Sequence, residues 1–144
     1  MDNQTPRRLK ALFRVPMRAH NGLVLMTALA VAYPSKSPVS LENVAAAEGL
    51  SQGFLEDIAN DLRRAKLITG RRGKGGGYVL AKPPKKMTVR AVLEAVEGPI
   101  ALVDCLASGI ACPSGHRCAS RRIWKKVQDR ISSSLGSVTL ADLT

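Results

Sequence analysis

The sequence predicts a mainly α chain with a small β-hairpin wing: a winged helix-turn-helix followed by a long C-terminal dimerisation helix. Three observations predict it. Two short helical patterns meet at Gly49-Leu50-Ser51. Two strand-like runs flank the basic, glycine-rich stretch Arg71-Arg72-Gly73-Lys74-Gly75-Gly76-Gly77. A final apolar stripe then repeats at helical steps close to the end of the 144-residue chain. That length suits one compact domain with an added arm or helix.

Residues 1–16 read as a polar, basic N-terminal arm with little periodicity, and residues 17–100 as the winged helix-turn-helix. The first helix is expected over 19–33, where Leu23, Leu25, Met26, Leu29, Ala30 and Tyr33 form a buried face and Pro34 is the stop. Ser40 is the expected N-cap of a second, short helix carrying Val44, Ala45 and Ala47, broken at Gly49. Ser51 caps a third, running to about residue 65, in which Phe54, Leu55, Ile58, Ala59 and Leu62 recur at three- and four-residue steps. Leu67-Ile68-Thr69 and Tyr78-Val79-Leu80 are the two strands of the wing, ended by Pro83-Pro84. Thr88 caps a helix through Val92, Leu93 and Val96, stopped by Gly98-Pro99.

Residues 101–118 form an irregular cysteine-bearing loop, and 119–144 the dimerisation helix and C-terminal segment. The last helix, 119–135, aligns Ile123, Trp124, Val127, Ile131 and Leu135. The small winged domain cannot easily cover so large a stripe, and a second copy in a two-fold dimer would.

Charge narrows the partner. The chain carries 22 Lys+Arg against 11 Asp+Glu, a net +11. Between Leu62 and Leu93 stand ten basic residues and no acid, and Arg7, Arg8, Lys10, Arg14 and Arg18 add an N-terminal run. Such a surface attracts polyanions through counterion release. Aromatic residues are only 3% of the chain, which argues against a reader built on stacking platforms. There is no apolar run near 18 residues and no signal-peptide pattern, so a cytoplasmic protein is expected, with no membrane partner.

The glycine-rich stretch is not a nucleotide loop, because a P-loop opens a helix with Gly-Lys-Ser/Thr, whereas Tyr78-Val79-Leu80 continues here as strand. As a wing tip, its glycines admit positive φ and close backbone approach to phosphate. The candidate DNA-contacting residues are therefore Ser51, Gln52, Glu56 and Arg63 on the third helix, and Arg72, Lys74, Gly75 and Gly76 in the wing. Gln pairs with adenine and Glu accepts from cytosine N4, so Glu56 is either a base reader or off the interface. Arg72 suits a phosphate or the minor groove.

Three cysteines exclude a complete intramolecular disulfide framework. Cys105, Cys112 and Cys118 are separated by glycine- and proline-containing spacers on one loop, and they are the candidate metal ligands. Zinc loops favour a tight two-residue cysteine pair, which is absent, and the wider spacing suits an iron–sulfur cluster. A fourth ligand would come from His116, His20 or Asp104. No Ser/His/Asp set or Cys/His nucleophile arrangement is present, so the chain is not expected to be an enzyme or to take a small-molecule substrate.

Leu50-Ser51 through Phe54-Leu55-Glu56, Leu62-Arg63-Arg64-Ala65-Lys66-Leu67, Arg72-Gly73-Lys74-Gly75-Gly76-Gly77-Tyr78, Val92 through Pro99, the cysteine triad and Thr139-Leu140-Ala141-Asp142-Leu143 together resemble the Rrf2 family, the IscR, NsrR and RirA type of bacterial transcription regulator. The resemblance spans residue 17 to the end. It implies a homodimeric winged helix-turn-helix on palindromic double-stranded promoter DNA, with an iron–sulfur cluster (2Fe–2S or 4Fe–4S) on Cys105, Cys112 and Cys118 controlling binding. It implies Glu56 as base reader and Arg72 as a minor-groove contact. IscR-like members carry a ligand histidine three residues after the last cysteine, where this chain has Arg121. NsrR-like members supply a carboxylate near the start of the first helix, from the other subunit. Alignment brings His20 to that position, and a one-residue shift would bring Asn21.

The expected function is thus a transcriptional repressor switched by a cluster that senses redox state, iron or nitric oxide. A zinc-bound or cluster-free thiol-responsive repressor is the alternative, and a small redox or cluster-carrier protein is the reading from another class.

Overall fold

The computed structural model describes residues 10–107 and 118–144. Among these described residues, five α-helices and one antiparallel hairpin follow in the order α1 (Met17–Ala32), α2 (Leu41–Glu48), α3 (Gln52–Arg64), β1 (Ile68–Arg71), β2 (Gly77–Leu80), α4 (Val89–Glu97) and α5 (Ala119–Ser137). The mainly helical fold with a small hairpin wing is the expected one. Its three anticipated caps form. The Ser40 hydroxyl accepts from the Asn43 amide at 3.1 Å, Ser51 from Phe54 at 3.1 Å, and Thr88 from Ala91 at 3.0 Å. Each satisfies an amide that the first helical turn cannot pair internally.

The structure corrects several boundaries. α1 begins at Met17, and Tyr33 opens a 3-10 turn over Tyr33–Ser35 instead of closing the helix. Pro34, lacking an N–H, is tolerated in the first turn of that element. Leu67 is not strand: its amide donates to the Leu62 carbonyl at 3.0 Å in the turn that follows α3, while its carbonyl accepts from the Ala81 amide at 3.0 Å, and β1 starts at Ile68. A 3-10 turn over Asp104–Leu106 lies within the segment read as irregular. A last 3-10 turn, Leu140–Leu143, follows α5.

The core is built where α1, α3 and α4 cross. Leu25, Met26 and Leu29 of α1 meet Leu55, Ile58 and Leu62 of α3, with Val92 of α4, Met87 and Leu140. Gly22 permits that crossing: a Cβ there would lie 3.1 Å from Val96 Cγ2 and 3.7 Å from Ile58 Cγ2. A side chain there would press on Val96, which would have to give by a few tenths of an ångström, so the small residue suits the close approach of α1 to α4.

The hairpin pairs Ile68 with Leu80 and Arg71 with Gly77. It is anchored to the domain through Val39, whose amide donates to the Tyr78 carbonyl and whose carbonyl accepts from the Tyr78 amide, both at 2.9 Å. Gly77 makes this possible twice over, because its φ is +153° and a Cβ would run into the Val39 carbonyl. Gly77→Ala is expected to cost about 1–3 kcal/mol through strain at a glycine-only conformation. A lower denaturant midpoint for this variant, with Gly53→Ala (an exposed helix position) unchanged or raised, checks it.

No residue of α5 is buried. Trp124, Val127, Ile131 and Leu135 are half-buried, while Ile123 is 51% exposed. The linker is tied to α5 by the Leu102 amide, which donates to Gln128 Oε1 at 2.9 Å. Phe13, among the described residues of the arm, reaches α5. The Phe13 ring meets Trp124 edge-on, centroids 6.1 Å apart. An aromatic pair in this orientation adds attraction beyond simple area burial.

Candidate nucleic-acid face and cysteine loop

α3 is amphipathic, with Leu55, Ile58, Ala59 and Leu62 turned into the core. The opposite side therefore carries its polar residues outward. A groove runs between this side, the start of α2 and the wing, lined by Ser40, Leu41, Glu42, Gln52, Glu56, Asn60, Gly77 and Tyr78. Gln52 Nε2 donates to Glu56 Oε1 at 3.3 Å, so the two exposed side chains orient one another one helical turn apart. Ser51 is exposed beside them; its oxygen caps Phe54, which leaves its O–H to donate elsewhere.

Asn60 and Tyr78 are not among the residues expected from the sequence. A signal for Asn60 exists, since Gln52, Glu56 and Asn60 stand at four-residue steps on one helical face. Tyr78 can be seen only once the wing is folded against α2.

At the wing, Arg71, Arg72, Gly73, Lys74 and Gly75 are exposed, and Gly76 is half-buried under the turn closed by its amide on the Gly73 carbonyl at 3.0 Å. Arg63 is exposed at the end of α3. The ion pairs of the described residues involve Arg18, Arg64, Arg90 and Lys125, and none of Arg63, Arg71, Arg72 or Lys74.

Arg18 corrects the charge reading, in which it belongs to an N-terminal basic run available to a polyanion. Instead its Nη2 donates to Asp57 Oδ2 at 2.9 Å and Asp61 Oδ2 at 2.7 Å, while Nη1 donates to the Val96 carbonyl at 2.9 Å. Glu97 Oε1 lies 3.9 Å from Nη1. The hydrogen bond to Asp61 raises the pKa of the guanidinium above its ordinary value, outweighing partial desolvation, and Asp57 adds to the same direction. Isolated exposed ion pairs contribute little, but one guanidinium shared among three elements is a network.

Of the candidate metal ligands, Cys112 and His116 lie outside the described residues. Cys105 is half-buried in the turn over Asp104–Leu106, next to an exposed Asp104. Cys118, also half-buried, is the N-cap of α5, and the Arg121 amide donates to its Sγ at 3.4 Å. Hydrogen bonds to ligating sulfur are among the terms that tune an iron–sulfur centre. Two soft thiol donors thus stand before and after the stretch that carries the third, a donor set fitting iron–sulfur or zinc chemistry. His20 is exposed on α1, in a hollow shared with Leu23, Val24, Thr27, Ala28, Val31 and Glu48. Asn21 points inward, 4% exposed. Among the described residues no three His, Cys, Asp or Glu side chains converge.

Known proteins bear on this arrangement. A family model described as "Rrf2: Iron-dependent Transcriptional regulator" matches residues 16–144. The HTH-type transcriptional regulator IscR of Yersinia pseudotuberculosis is 36% identical over 106 residues, which are 74% of this chain and 64% of that protein, so less than two thirds of the relative's length is matched. Among solved structures, CymR (YrzC), the global cysteine regulator of B. subtilis, superposes with a TM-score of 0.75 at 32% identity, over 91% of this chain and 95% of that one. T. potens IscR does so with a TM-score of 0.74 at 32% identity, over 91% and 85%. These similar proteins are regulators, not enzymes.

Proposed function

The chain belongs to the Rrf2 family of transcriptional regulators, and from that premise we propose that it is a cytoplasmic, homodimeric repressor whose grip on double-stranded promoter DNA is set by an iron–sulfur cluster. The observation that carries the DNA half is the groove in which the polar side of α3 and the strand of the wing face the same space. Gln52 and Glu56 read base edges in the major groove, assisted by Asn60. Ser51, Arg63, Lys74 and the backbone at Gly75 and Gly76 hold phosphates, and Arg72 enters the adjacent minor groove. A second copy supplies the other half-site. Apolar side chains left outside on one copy, Val31 at 65% and Ile123 at 51% exposed among them, are what a two-fold partner would cover.

Cys105, Cys112 and Cys118 would hold the cluster, with His20 of the other copy as the fourth ligand. The cluster supplies a centre responsive to redox state, iron or nitric oxide. What this chain does with it is mechanical. The loop leads directly into α5, so a change in the loop alters how two copies are held, and half-sites lie at a spacing set by the DNA helix. An imidazole ligand at His20 would leave the ligand set less negative than a carboxylate there.

Absorption with iron, sulfide and zinc analysis on anaerobically purified protein tests this. A coloured protein with iron and sulfide, losing both on Cys118→Ala, is the expected outcome. A colourless protein that takes up no iron on reconstitution overturns the cluster. A second reading would then hold, a repressor responding through its thiols. It is favoured by the equally close likeness to the cysteine regulator CymR and by Arg121 standing where IscR-like chains have histidine.

A further inference from the structure

We propose that Arg18 is the positioning residue through which the cysteine loop and the recognition helix α3 sense one another. The inference rests on the cluster-switch reading above and names the side chain that transmits it.

The geometry is that of a three-way clamp. Arg18 sits in the first turn of α1, two residues before His20. Its Nη2 holds Asp57 and Asp61, which stand one turn apart on α3, and its Nη1 holds the carbonyl of Val96 in the last turn of α4. That carbonyl belongs to the end of a helix, where no further amide of the helix remains to pair with it. Immediately beyond, Gly98 turns the chain at φ +85° into the segment that leads to Cys105. One turn along α1 from Arg18, Gly22 packs directly on Val96 and Ile58. The same three helices are therefore joined twice: by close apolar contact at Gly22 and by hydrogen bonds at Arg18.

Apolar contact resists separation but tolerates sliding, whereas a planar guanidinium with several directed donors specifies direction. A pull on the linker at Gly98 moves the Val96 carbonyl, and through Arg18 it moves Asp57 and Asp61, hence the angle of α3. Two carboxylates on a helix that faces DNA would also repel phosphate and each other. Arg18 offsets part of that charge while keeping both aligned. Lysine supplies the charge but carries all its donors on one nitrogen, without the planar fork whose two ends here face different helices.

The probe is a duplex recovered from a random-sequence pool by the wild-type dimer, selected separately in the cluster-loaded and cluster-free states. Its affinity is measured in both states for wild type, Arg18→Lys, Arg18→Ala and Asp57→Asn/Asp61→Asn. Wild type is expected to show a ratio between states within the roughly 5- to 150-fold range of allosteric coupling. The variants should bring it to within about twofold of unity while cluster absorbance and iron content stay at wild-type values. Asn at 57 and 61 shifts affinity in both states alike through charge, so only the ratio reports coupling. Arg18→Lys keeps the test available should Arg18→Ala fail to fold. A full ratio surviving in Arg18→Lys and in the Asp double variant overturns the proposal while the cluster switch stands. A wild-type ratio of one overturns both.

Discussion

Leu140→Ala is expected to lower unfolding stability by about 2–5 kcal/mol, a large part of the roughly 5–15 kcal/mol available to a domain. Leu140 is 0% exposed and belongs to the core with Met87. Its amide donates to the Met87 carbonyl at 2.9 Å, and the Val89 amide donates to the Val138 carbonyl at 2.9 Å. Thr88 and Thr139 pair between these bonds. The segment after α5 is thus stitched to the start of α4, with a fully buried leucine inserted beneath. Truncating that side chain to a methyl leaves a cavity that a stitched backbone cannot collapse into, which places the cost toward the upper end. Chemical denaturation should show a lower midpoint with an unchanged m-value. Leu143→Ala, at a side chain 43% exposed, should shift stability by no more than about 0.5 kcal/mol. Equal losses for the two would mean that the segment does not anchor the core.

Replacing Arg71, Arg72 and Lys74 together by alanine is expected to weaken DNA binding most at low salt. For every phosphate that is no longer neutralised, the slope of log affinity against log salt should flatten by about 0.9. These cations are exposed at the wing and, among the described residues, are not committed to acidic neighbours, so their removal costs the fold little. Titrations between about 50 and 200 mM salt would show the change directly, because a protein that neutralises about 6–10 phosphates weakens by about 10³–10⁵ in affinity over that span. Lys125→Ala, whose ammonium is held by Asp129 at 2.8 Å on α5, serves as the control and should leave the slope unchanged. An unaltered slope in the triple variant would remove the wing from the DNA interface.

Much of the fold is legible in the sequence because its signals are local. Ser40, Ser51 and Thr88 each act on an amide three residues ahead. The alternation of glycine and cation between two short β-prone runs can hardly be anything but a hairpin tip. Boundaries escape the sequence where a residue's amide is claimed by a neighbouring element. Leu67 looks like strand, but the carbonyl of Leu62 takes its N–H. Of the candidate site, the outward residues of α3 follow from helical period, and that period includes Asn60. Tyr78 does not follow from any period, since it reaches the groove only through the pairing of the wing with Val39. Cys112 and His116 lie outside the described residues, so the ligand set rests on the spacing of the cysteines and the family likeness.

The amino-acid order alone was enough for the class of fold, the caps, the wing and the sign of the surface, since each depends on residues within a few positions of one another or on a simple sum of charge. The identity of long-range partners was not contained in it. Arg18 reads as one more cation of an N-terminal basic run, yet its acceptors lie 39, 43 and 78 residues away. Leu140 reads as part of a C-terminal tail, yet it fills the core below α4. Which charge meets which, and which apolar side chain is sealed from water, depends on how helices cross. At Gly22 the crossing leaves a Cβ only 3.1 Å from Val96 Cγ2, a closeness visible only when Val96 and Ile58 are seen against it.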